Sequence, residues 1–99
     1  THVGLSKGIA EGIFVLEKDM ENAAVDQPII LFVETLSPSL TQYFDRVKGI
    51  CSRRGGMLSH LAIIAREQGL PVIVYPQVDV SLFEKKVRID GATGEIRHE

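Results

Sequence analysis

The 99-residue sequence predicts a single α/β domain built as a central sheet with helices packed on it. Three observations carry that prediction. Short β-branched apolar runs bounded by proline and glycine recur through the middle of the chain, segments with helical spacing lie between them, and the C-terminal stretch alternates apolar and charged residues around an Asp-Gly pair.

The elements follow in order. From Gly4 to Leu16, glycines interleave with Ile9, Ile13, Val15 and Leu16, which reads as one or two strands. After the polar stretch Met20 to Gln27, the run Pro28 to Glu34 (PIILFVE) is continuously apolar and reads as a central strand covered on both faces. Ser37 as N-cap and Pro38 at the first helical position, followed by Leu40, Tyr43, Phe44 and Val47 at helical spacing, predict an amphipathic helix that stops at Gly49. A short strand GICS and a loop RRGGMLS come next. Ser59 then caps a helix HLAIIAREQ, apolar all round and so buried from Leu61 to Ala65, which ends at Gly69 with Pro71 blocking continuation. Leu58 before the cap and Ile63 at the fourth helical position have the spacing of a hydrophobic staple. LPVIVY is a second buried strand, VDVSLFEK a short helix or turn, and Lys86 to Glu99 a hairpin turning at Asp90-Gly91.

Composition limits the function classes. With 44% hydrophobic residues and a formal charge of −2, the chain has material for one core and no electrostatic reason to bind nucleic acid or an anionic membrane. The lone Cys51 cannot form an internal disulfide, and no signal peptide or spanning segment is visible, so a cytoplasmic protein is expected. No second ligand stands at metal spacing from Cys51, so no metal site is expected in the domain. The chain starts at Thr1, which suggests a processed product or a piece of something longer.

His60 is the residue that invites chemistry. As the first residue of a capped helix, its side chain leans back toward the loop containing Gly55 and Gly56, beside backbone N–H groups that have no partner in the helix. A helix N-terminus carries the equivalent of about +0.5 charge and favours anions, and Arg53 and Arg54 add cations to the same loop. An uncharged imidazole offers one ring nitrogen with a free lone pair for attack on phosphorus, and Ser52 or Ser59 would fix its tautomer. The plainer alternatives are a half-buried or capping histidine, loop packing for Met57, and a solvated rim for the two arginines. No phosphate-binding loop, nucleophile elbow or HExxH motif is present, so any phosphate on His60 would have to arrive from elsewhere.

The segment GGMLSHLAIIAREQGLPVIV resembles the phosphorylation-site motif of the phosphoenolpyruvate-utilising enzymes, a family that includes phosphoenolpyruvate synthase, pyruvate phosphate dikinase, rifampicin phosphotransferase and the first enzyme of the sugar phosphotransferase system. GLSKGIAEG is similar to that family's opening hairpin, ETLSPSL to its strand-to-helix turn and RIDGATGEI to its closing hairpin, so the likeness covers most of residues 1–99. The resemblance implies a swivelling β/β/α phosphohistidine domain and a carrier role, shuttling phosphate between a nucleotide-binding and a phosphoenolpyruvate/pyruvate-binding domain. It assigns His60 as phosphoacceptor, with Ser52, Ser59, Gly55 and Gly56 in support and Arg53, Arg54 and Arg66 as candidate phosphate contacts. It places Mg2+ at the partner domains and no cofactor in this one. Leu58, Arg53, Leu61 and Tyr75-Pro76 depart from the usual motif, and Leu58 argues against the sugar-system branch. A non-catalytic interaction module, or the carrier of a rifampicin-type or sugar-system enzyme, are the alternatives to a synthase or dikinase carrier.

Overall fold

A computed structural model describes residues 3–22, 27–55 and 59–99. Seven strands form one sheet: β1 (Val3–Ser6), β2 (Ile9–Leu16), β3 (Ile29–Val33), β4 (Gly49–Ser52), β5 (Val72–Val74), β6 (Lys86–Asp90) and β7 (Glu95–His98), in the spatial order β1-β5-β4-β3-β2-β6-β7. The inner run β2, β3, β4, β5 is parallel, while β1, β6 and β7 pair antiparallel. Among the described residues there is one α-helix, α1 (His60–Gln68), together with 3-10 turns at Glu17–Asn22, Pro38–Tyr43 and Val80–Leu82. The fold is therefore α/β as expected, with fewer helices on the sheet than the apolar spacing suggested.

The apolar run of β3 is buried along its whole length, because its two faces serve two cores. Ile29, Leu31 and Val33 point toward α1 with Leu61, Ala62 and Ala65, joined by Met20 and Leu40. Ile30 and Phe32 point the other way, to Phe14, Cys51, Ile73, Val87 and Ile89. On that second side Phe14 stacks on Phe83 at 4.9 Å between ring centroids, and Phe32 meets both edge-on.

The sheet curls. β1 lies at one end of the strand order and the turn after β6 near the other, yet a Cβ on Gly4 would collide with Gly91 O, so the two segments cross with bare backbone facing bare backbone.

Three expectations are corrected. The opening segment is not a hairpin: β2 pairs with β3 along Ile13–Leu16 and with β6 along Ile9–Ile13, while β1 crosses over to pair with β5. The helix expected after Ser37 shrinks to a 3-10 turn. Ser37 and Pro38 start it as predicted, but Leu40 is its buried residue, and the chain must soon re-enter the sheet beside Ile30. Gly49 is consequently the first residue of β4, where a Cβ would lie 2.7 Å from Ile89 Cδ1, so close packing accounts for the glycine. Finally, α1 is not buried all round: Leu61, Ala62 and Ala65 are fully buried while Ile63 is 40% exposed. The staple between Leu58 and Ile63 rests on Leu58, which lies outside the described residues, as do Gly56 and Met57.

Candidate functional site

The parallel strands β2 to β5 all end on one side of the sheet, and the loop leaving β4 there leads into α1. Crevices at the carboxyl ends of parallel strands are the usual ligand positions in α/β sheets. His60 sits at this end as the first helical residue, with its side chain exposed.

Both ends of α1 are fixed in the way the sequence predicts. Ser59 has extended backbone angles and its Oγ accepts from Ala62 N–H at 3.2 Å, satisfying one donor of the first turn. Gly69 closes the helix in the left-handed conformation at φ 70°, with Leu70 N–H returning to Ala65 O at 2.9 Å. Leu61 and Ala62, directly after His60, are fully buried, so the exposed ring is the first side chain outside a packed layer.

The loop before the helix is tied at its base. The β3–β4 ladder continues past the strands through Arg53 N–H to Val33 O at 3.0 Å and Arg54 N–H to Glu34 O at 3.1 Å. Ser52 is fully buried; its hydroxyl donates to Arg54 O at 2.5 Å and accepts from Arg54 N–H at 3.3 Å. The Ser52 hydroxyl thus engages the loop backbone two residues along its own chain. Gly55 follows with φ +149°, and a Cβ there would meet Leu36 Cδ1 at 2.6 Å, so both torsion and space demand glycine.

The three arginines do different things. Arg53 Nε bonds Glu34 Oε2 at 2.8 Å, its Nη1 donates to Pro76 O at 2.9 Å, and its guanidinium carbon lies 5.4 Å from the centre of the Phe32 ring. Arg54 is exposed beside it. Arg66 Nε donates to Leu5 O at 2.8 Å, which directs that group to β1. Glu34 and Pro76 escaped the sequence reading. The parallel register Val33↔Ser52 would have revealed the first, since it makes the next residues, Glu34 and Arg53, neighbours. The second joins two departures from the motif, Arg53 and Pro76, in one hydrogen bond.

Cys51 is no part of this site. It is fully buried on the opposite face of β4, and burial pushes its thiol up to about 12. Among the described residues no group of three His, Cys, Asp or Glu side chains is arranged to hold a metal, and no helix is long and apolar enough to cross a membrane.

A curled sheet with a parallel inner run, and a capped helix presenting an exposed histidine at the carboxyl end of that run, define the architecture as an α/β domain. The chain belongs to the mobile-domain family of the PEP-utilising enzymes, whose model matches residues 25–94. It is 36% identical over 98 residues to rifampicin phosphotransferase of Bacillus subtilis, covering 95% of this chain and 11% of that protein. It is 32% identical over 95 residues to a probable phosphoenolpyruvate synthase of Archaeoglobus fulgidus, covering 93% of this chain and 13% of that protein. Among solved structures, the N-terminal domain of Enzyme 1 - Nitrogen superposes with a TM-score of 0.66 at 27% identity, over 80% of this chain and 34% of that one. The chain thus spans about a tenth of the length of these curated relatives, which are phosphotransferases and a synthase by name.

Proposed function

We propose that the chain is a phosphoryl carrier, phosphorylated on His60 and passing the group on, within a PEP-utilising phosphotransferase. The observation that carries this reading is the exposed His60 at the head of a helix whose cap, first buried turn and C-terminal glycine are all in place. A ring-nitrogen lone pair attacks the donor phosphorus, an N–P bond forms, and the P–O bond to the leaving group breaks with its electron pair passing to that oxygen. In the second half the acceptor oxygen attacks, the N–P bond breaks and its pair returns to the ring. Backbone N–H groups of the first helical turn and the Arg54 side chain favour the negative phosphoryl oxygens.

The donor and acceptor stations belong to other domains, a nucleotide-binding one and a phosphoenolpyruvate/pyruvate-binding one, each with Mg2+, and the domain swivels between them. The carrier itself holds no cofactor. Likeness to phosphotransferases along nearly the whole chain supports a synthase-, dikinase- or rifampicin-type parent. A buried free thiol fits a reducing cytoplasmic setting.

Incubation with nucleotide- and phosphoenolpyruvate-binding domains of a PEP synthase tests the reading. The expected result is an acid-labile, base-stable phosphate on the wild type that is absent from His60→Ala. No label on the wild type, with partners shown to phosphorylate their own carrier, overturns it and favours a non-catalytic interaction module.

A further inference from the structure

Three adjacent parallel strands, β3, β4 and β5, end side by side, and a single side chain spans all three ends. Arg53 is the first residue after β4. Its Nε is held by Glu34, the first residue after β3, at 2.8 Å, and its Nη1 by the carbonyl of Pro76, two residues after β5, at 2.9 Å. The guanidinium lies over Phe32, whose ring is locked in the aromatic cluster with Phe14 and Phe83. This is a fork with two anchors and a platform, a geometry that the five donors of a planar guanidinium can satisfy and a lysine cannot.

Arg54 and Gly55 follow directly from this point. Arg54 is pinned by its backbone bond to Glu34 O and by Ser52, and Gly55 then turns the chain under Leu36. The far end of the loop is fixed by the Ser59 cap. The direction in which the loop leaves the sheet is therefore set by the Arg53 tie, and the direction in which it arrives by the cap.

We propose that Arg53 is a positioning residue for His60: by tying the ends of β3, β4 and β5 it fixes the loop that sets the orientation of the ring. The proposal rests on the carrier reading for its catalytic consequence, but not for its structural one. The Arg53–Glu34 pair also cancels one of the two loop cations, which leaves Arg54 as the cation able to meet a phosphate. Arg53 thus moves from candidate phosphate contact to part of the frame.

Histidine ring resonances of the chain, with His60 assigned through His60→Gln, test the positioning directly. Arg53→Ala and Arg53→Lys are expected to move or broaden the His60 ring signals while leaving His98 unchanged. Arg88→Ala, which removes an exposed ion pair between β2 and β6, should leave His60 unmoved. His60 signals that coincide with wild type in both Arg53 variants overturn the proposal. Should Arg53→Ala not fold, Glu34→Gln removes half of the tie and takes its place. In the phosphorylation assay, Arg53→Lys is expected to slow phosphoryl uptake by on the order of tenfold or more, with KM for the partner unchanged, because misplacement affects reaction more than docking. A raised KM at unchanged kcat, or full activity in Arg53→Lys, overturns positioning in favour of a docking or simple charge role. If the wild type takes no label at all, the carrier reading falls, and the ring signals alone decide the part played by Arg53.

Discussion

Arg66 and Leu5 are 61 residues apart in sequence and joined by a 2.8 Å hydrogen bond from the guanidinium Nε to the main-chain carbonyl. The bond links the last turn of α1 to the edge strand β1, so the helix that begins with His60 is held to the sheet at both ends. Arg66→Ala is expected to cost on the order of 1 kcal/mol, as loss of a charged donor to a carbonyl does. Hydrogen exchange should localise the effect to the amides of Val3–Ser6. Unchanged protection there would show that β1 is held by its pairing with β5 alone.

Ser59→Ala removes the acceptor for Ala62 N–H and should destabilise the chain by about 1 kcal/mol, with Ser59→Asp close to wild type. Denaturant unfolding of the three proteins checks this. A neutral Ser59→Ala would mean that packing of Leu61 and Ala62 fixes the helix start without the cap.

Gly55→Ala should cost about 1–3 kcal/mol, since an alanine is strained at φ +149° and its Cβ meets Leu36. Leu36→Ala separates the two causes. In that background the steric part disappears and the backbone part stays, so a double-mutant cycle is expected to show a coupling that is real but smaller than the single-mutant loss.

The Cys51 thiol, pushed up to about 12 by burial, should be inert to iodoacetamide at neutral pH in the folded chain. Labelling is expected to follow unfolding as denaturant rises. Rapid labelling of the native protein would show that β4 opens locally, next to the strand end that leads to His60.

Acid should erode one contribution at the far side of the sheet. Hydrogen bonds from Arg88, with help from Glu99, hold the Glu11 carboxyl below its ordinary value of 4.5. A depressed folded-state value means that the stabilisation is present above the unfolded value and is lost as pH falls through the lower, folded one. The stability gap between wild type and Glu11→Gln should therefore be constant near neutrality and close below about pH 4.5, by an amount kept small by exposure. A gap that persists unchanged at pH 2 would assign the effect to packing.

Local chemistry was legible in the sequence wherever a residue acts on its near neighbours. Ser59 and Gly69 bound α1 as read, Ser37 and Pro38 open an element where expected although it is a 3-10 turn and not the expected helix, and Asp90-Gly91 begins the final hairpin. What escaped depended on partners remote in sequence. Gly49 looks like a helix stop until Ile89 is seen against it, and Ile9 to Ser6 looks like a hairpin until β1 is found paired with β5. The same holds at the site. His60 could be placed from its own helix, whereas Arg53 was read as a free cation because Glu34 and Pro76 lie 19 and 23 residues away.

The crossover of β1 has a further consequence, in the order of assembly. Within this domain β1 is made first and pairs with Val72–Val74, so residues 3–6 have no sheet partner until three quarters of the domain has been made. Until then an edge segment with unpaired amides waits, and late pairing across so long a separation is slow. The helix bearing His60 is complete before β5 arrives, and the arrival of β5 brings both Pro76 for Arg53 and the docking strand for β1. Maturation of the histidine's surroundings and closure of the sheet are thus one event, late in the making of this domain.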